Sequence, residues 1–104
     1  MDKQKLLEEL RGIRRIVINK CHGGFGLSPR AKKRYEELSG EKVDYDRDIQ
    51  RDDPYLLQIV HELGLRADGN YAELKIVEIP EDVEWEIQEY DGLEWVAEKH
   101  RIWR

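Results

Sequence analysis

Between Asn19 and Tyr35 the chain reads NKCHGGFGLSPRAKKRY. Glycines at 23, 24 and 26 flank Phe25, the pair Ser28-Pro29 follows, and Arg30, Lys32, Lys33 and Arg34 come directly after. A glycine-rich turn that runs into a helix start gathers backbone N–H groups around one point, which is the chemistry of a phosphate site. Arginine forks can grip the same oxygens at two points. Cations at a helix start oppose the positive end of its dipole, and a bound anion would offset that placement. Phe25, with little cover from its glycine neighbours, offers a face on which a base can stack. The spacing is neither GxxxxGK[ST] nor GxGxxG. The alternative is a tight turn that needs glycine for its own sake, with Phe25 plugging the core beneath it.

The other reactive side chains carry less. His22, His61 and His100 stand apart, with no CxxC or HxxxH spacing, so neither a metal site nor a cofactor is expected. Cys21 reads as a small buried hydrophobe and His61 as a residue at the core edge. Glu84, Glu86, Glu94 and Glu98 read as the solvated face of a hairpin rather than an acid–base couple, and Asp52 and Asp53 as helix-capping residues. Trp85 and Trp95 are assigned to the core or an interface. Near the end, KHRIWR sets Trp103 between Arg101 and Arg104, a stacking surface beside phosphate forks; its plainer role is an edge strand that docks Trp103.

These groups need elements to hold them. Residues 2–12 place Leu6, Leu7 and Leu10 on one face, so residues 1–13 form a helical extension or arm and residues 14–104 the domain. RRIVIN, 14–19, predicts a buried strand. Ser28 as cap, Pro29 as first residue and Gly40 as stop predict a helix that buries Ala31, Tyr35 and Leu38. A short edge strand is expected near Lys42–Tyr45. Asp53, Pro54 and Gly64 bracket a second helix, with Leu56, Leu57, Ile59, Val60 and Leu63 on its inner face. Strands follow at 72–80 and on either side of the Asp91-Gly92 turn. The order β-α-(β)-α-β-β-β is that of a single small α+β domain with an antiparallel C-terminal meander.

Charge narrows the partners. Residues 1–35 carry ten Lys/Arg against three Asp/Glu, a balance of +7, and residues 36–104 carry eight against twenty, a balance of −12; together they give the net −5. The acidic part would be repelled by duplex nucleic acid or an anionic membrane, whereas a small anion beside the basic stretch is compatible. No run approaches a membrane span or a signal segment, and a single cysteine suits a reducing compartment, so a cytoplasmic protein is expected.

Three blocks, IVINKCHGGFGLS, RDDPYLLQIVHELG and LKIVEIPEDVEWEIQEYDGLEWVAEKHRIW, cover most of residues 16–103. In them the chain resembles a group of small phage and prophage proteins identified with the first-described Thoeris anti-defence sponges. Such proteins sequester the cyclic ADP-ribose isomers made by bacterial TIR enzymes, and some also hold cyclic oligonucleotides. The resemblance implies a homo-oligomer, dimer or hexamer, with arginines and an aromatic residue around the ligand. The ligand set read from the glycine loop, the basic helix start and the C-terminal segment is Asn19, Gly23, Gly24, Phe25, Gly26, Leu27, Ser28, Arg34, Arg101 and Trp103, with Arg34 and Arg101 chosen by residue type and location rather than by a match to the family's own ligand residues. Residues 1–13 look like an addition to the pattern, and the region after Gly40 looks short.

Two functions from different classes follow. The first is a non-enzymatic sponge for a small cyclic nucleotide in the host bacterial cell. The second is an acidic protein–protein interaction module that mimics nucleic acid and occupies a host protein. A nucleotide hydrolase built on the glycine loop ranks last, because no base or metal set accompanies it.

Overall fold

The computed structural model describes residues 12–99. Strand β1 spans Ile13–Asn19, helix α1 Pro29–Ser39, helix α2 Pro54–Leu63, and strands β2, β3 and β4 span Leu74–Pro80, Trp85–Tyr90 and Leu93–Glu98. Short 3-10 turns cover Asp46–Asp48 and Gly64–Ala67. The domain is α+β with antiparallel strands at its C-terminal end, as the sequence predicts. No helix of the described residues is long and apolar enough to cross a membrane.

Both helices start and stop where their punctuation says. Ser28 Oγ accepts the Ala31 N–H at 3.1 Å, Pro29 opens α1, and Gly40 closes it in the left-handed region. Asp53 Oδ1 accepts the N–H groups of Tyr55 and Leu56 at the start of α2. Ala31 and Tyr35 of α1 and Leu56, Ile59 and Val60 of α2 are buried, and Val17 of β1 joins them in one cluster.

Pairing divides the strands into two ribbons. Strand β2 runs antiparallel to β1, from Ile13 opposite Pro80 to Asn19 opposite Leu74. Strands β3 and β4 form a hairpin, with Gln88 opposite Trp95, closed by Asp91 and Gly92 at φ 51° and 90°. Two successive positive φ values give the turn that matches strand twist, and Asp-Gly suits it. β2 is therefore bonded to β1 rather than to β3, and β4 lies against β1.

The expected edge strand at Lys42–Tyr45 is absent: the segment is irregular and leads into the 3-10 turn at Asp46. Its one buried side chain, Val43, is held through its N–H by Glu36 Oε2 at 2.7 Å, which removes that donor from any ladder. His61 is exposed rather than at the core edge, and Cys21 is a half-buried free thiol. The predicted helical arm at 1–13 falls mainly on residues outside the described range.

Candidate functional site

The glycine loop is first of all a packing device. A side chain at Gly23 would collide with the Tyr71 backbone, and one at Gly92 with the His22 carbonyl. Gly69 seats on Gly26, whose carbonyl accepts the Gly69 N–H at 2.9 Å. Gly24 takes φ 94° in open space. The loop is thus clamped between the turn at 68–72 and the hairpin turn at 91–92, where two backbones meet closer than any Cβ allows.

Half of the expected amide cradle is closed. The Leu27 N–H donates to Asp46 Oδ2 at 2.9 Å, the Ser28 N–H to the Ala67 carbonyl at 2.9 Å, and the Gly24 N–H reaches the Cys21 carbonyl at 3.5 Å. Ser28 Oγ caps α1 and donates to the Arg66 carbonyl at 2.6 Å. Among the described residues the amides of Gly23, Phe25 and Gly26 have no protein acceptor.

Asn19, proposed from the sequence as a ligand residue, is wholly buried and bonded to the protein itself. Its Nδ2 donates to the carbonyls of Cys21 and Gly92, its Oδ1 accepts the Glu73 N–H at 2.8 Å, and its own N–H donates to Glu94 Oε1 at 2.8 Å. One side chain thereby ties the end of β1 to the glycine loop, the start of β2 and the hairpin turn. Arg34 also departs from its expected place. It bridges Glu37 of its own helix and Glu62 of α2, at 3.6 and 3.4 Å, and is thereby committed to carboxylates. Arg101 and Trp103 lie outside the described residues.

Phe25 is half-buried and packs on the core, while the Arg51 guanidinium lies over its ring at 3.6 Å from the centroid. Arg51 is fixed in turn by Glu94, Nη1 to Oε1 at 2.5 Å and Nη2 to Oε2 at 2.9 Å. Glu94 is therefore no part of a solvated face, being 8% exposed. A signal for this existed. Cross-strand register puts Glu94 on the same hairpin face as Trp85, Ile87 and Val96, and an acid on an apolar face needs a partner.

An open cleft of about 410 Å³ lies beside Phe25, bordered by Lys32, Asp44, Tyr45, Asp46 and Arg47. Arg47 sits over the Tyr45 ring at 5.3 Å, and Tyr45 is 60% exposed. Among the described residues neither Lys32 nor Arg47 pairs with a carboxylate, whereas Asp46 is engaged by the Leu27 amide. Phe25 and Tyr45, with two cations that have no carboxylate partner among the described residues, thus border one open space. Tyr45 and Arg47 were not legible as site residues, because they fall in a polar run without periodicity.

A neighbouring cleft of about 300 Å³ is acidic, lined by Glu41, Asp44, Asp48 and Asp53 around Tyr35 and Tyr45. The Tyr35 hydroxyl donates to Asp53 Oδ2 at 2.9 Å. Burial first, then the Asp53 carboxylate, pushes the Tyr35 phenol up to about 12. Among the described residues no group of three His, Cys, Asp or Glu is placed to hold a metal ion. Comparison with known proteins finds no family model, no curated protein and no solved structure that matches this chain.

Proposed function

We propose that the protein is a phage-type anti-defence sponge, which captures a small cyclic nucleotide signal and holds it without cleaving it. The resemblance of the three sequence blocks directs the ligand to the cyclic ADP-ribose isomers, with cyclic oligonucleotides as a second class, in the cytoplasm of a host bacterium. The observation that carries the proposal is the cleft beside Phe25. Lys32 and Arg47 supply cations for phosphate, Tyr45 supplies a ring for a base, Phe25 beneath Arg51 forms an apolar wall, and the amides of Gly23, Phe25 and Gly26, without a protein acceptor among the described residues, lie in the adjoining loop. Where the sequence points to loop amides with Arg34 and Arg101 beside them, the proposed site relies on Lys32, Arg47 and Tyr45. Sequestration asks only for tight binding, so no acid, base or nucleophile has a part in it.

The test is retention and release. Purified protein is incubated with a TIR-generated cyclic ADP-ribose isomer, washed and heat-denatured. Intact isomer should appear in the supernatant. Absence of both a thermal shift and retained ligand would sink the proposal. At 100-fold excess over Kd a saturated binder gains about 2.7 kcal/mol of stability, which a melting curve resolves easily.

The second reading, an acidic module that inhibits a host protein, draws on the hairpin's carboxylates and its exposed Tyr90 and Trp95. Neutralising the exposed Glu84 and Glu86, with the buried Glu94 left in place, would abolish that inhibition while leaving nucleotide binding intact.

A further inference from the structure

The cleft beside Phe25 sets opposite charges against each other. Its cations are Lys32 and Arg47, but Asp44 and Asp46 border the same space, so the charges of its lining cancel. The neighbouring cleft holds four carboxylates, Glu41, Asp44, Asp48 and Asp53, against Lys42, a balance of −3. Asp44 and Tyr45 form the wall common to both. An anion drawn in by Lys32 and Arg47 would therefore sit in the field of these carboxylates.

The two carboxylates of the cation cleft differ in what they do for the fold. Asp46 Oδ2 accepts the Leu27 N–H at 2.9 Å and so holds the irregular segment on the glycine loop. Asp44 is exposed, and among the described residues its side chain has neither a hydrogen bond nor a cation partner. A carboxylate beside two cations weakens their pull on every anion. The loss is not uniform, because it grows with the charge that the ligand brings.

Phosphate chemistry turns that loss into discrimination. A phosphate esterified on both sides carries a single charge, whereas a terminal monoester carries about two near neutral pH. In water, a unit charge ~6 Å from another changes affinity about threefold. ATP, with one further phosphate and a free end, carries about two charges more than a cyclic ADP-ribose isomer. Asp44 thus disfavours ATP by an additional factor of about ten.

We propose that Asp44 limits the charge that the cleft accepts, admitting phosphates esterified on both sides and turning away terminal phosphate monoesters. The proposal rests on the reading of the cleft as a nucleotide site and adds what that site rejects.

Calorimetric titration of a cyclic ADP-ribose isomer, ADP and ATP into wild type, Asp44→Asn, Asp44→Lys and Asp82→Asn tests it. Divalent cations are left out, because they would neutralise the extra charge. Asp44→Asn keeps a side-chain oxygen acceptor and removes the charge. Relative to the isomer, Asp44→Asn should improve ADP about threefold and ATP about tenfold. Asp44→Lys should improve both further, and the gains should shrink at about 0.5 M salt. Asp82→Asn, the same change in net charge at an exposed position outside the lining of both clefts, should leave the ratios as they are. If wild type holds no isomer, the ligand reading falls, yet the charge limit still requires Asp44→Asn to improve ATP about threefold more than ADP. ATP affinity that neither Asp44 variant raises would overturn the proposal, as would equal gains for every probe. A loss of isomer affinity of about tenfold in Asp44→Asn would overturn it too, making Asp44 a contact for the ligand's hydroxyl groups.

Discussion

The guanidinium of Arg51 grips the carboxylate of Glu94 at two points, 2.5 and 2.9 Å, where the side chains are 15% and 9% exposed. The pair joins the segment before α2 to the hairpin across 43 positions of sequence, and the flat of the same guanidinium covers Phe25. Removing one partner leaves a nearly buried charge alone. Glu94→Gln or Arg51→Gln should therefore each cost about 3 kcal/mol in urea unfolding, and Arg51→Met/Glu94→Leu together should cost less than the sum. Single losses below about 1 kcal/mol would show that the pair is screened like a surface one.

Asn19 is the second anchor. Asn19→Ala deletes two donated bonds and one accepted bond in a wholly buried position. A loss of about 3 kcal/mol is expected, read as a lower melting midpoint. A direct ligand contact predicts the reverse pattern, weakened binding at unchanged stability, and that outcome would return Asn19 to the binding set.

The glycines of the loop separate by cause. Gly24→Ala meets only an unfavourable φ in open space and should cost about 1 kcal/mol. Gly23→Ala drives a methyl into the Tyr71 backbone, which has no flexible end to move aside, and should cost clearly more. Equal effects in thermal melts would contradict the clamped loop.

Tyr35 gives a pH signature. Its phenol titrates at about 12 in the folded chain against about 10 when unfolded. Between those values the unfolded chain has released a proton that the folded chain keeps. Stability from this group is thus fully present below pH 10 and falls as pH rises toward 12, by on the order of 2 kcal/mol. Tyr35→Phe removes the Asp53 hydrogen bond but should flatten that alkaline decline relative to wild type. Parallel declines for the two proteins would place the proton loss elsewhere.

The helices were readable because their signals are local. Ser28-Pro29 with Gly40 and Asp53-Pro54 with Gly64 mark ends within a few residues, and the stripe Leu56, Ile59, Val60 repeats at helical spacing. Strand partners were not, since β1 meets β2 across more than 50 positions and nothing nearby says so. The site was half readable. The glycine loop announced itself, but its meaning depends on Tyr71 and Gly92, which only the folded chain brings against it. Arg34 looked like a loop cation until α2 set Glu62 beside it. Tyr45 and Arg47 owe their place to an irregular segment held by Asp46 on the Leu27 amide, a contact that leaves no periodic trace.

The cleft beside Phe25 is tested most directly by titration calorimetry of a TIR-generated cyclic ADP-ribose isomer into wild type, Lys32→Glu/Arg47→Glu and Tyr45→Ala. The account predicts saturable binding to wild type. It also predicts affinity at least about tenfold weaker in each variant, the loss of about 1.4 kcal/mol expected of one lost stacking or charge contact, with unliganded melting temperatures unchanged. Wild type that fails to bind, or variants that bind as tightly as wild type, would contradict it.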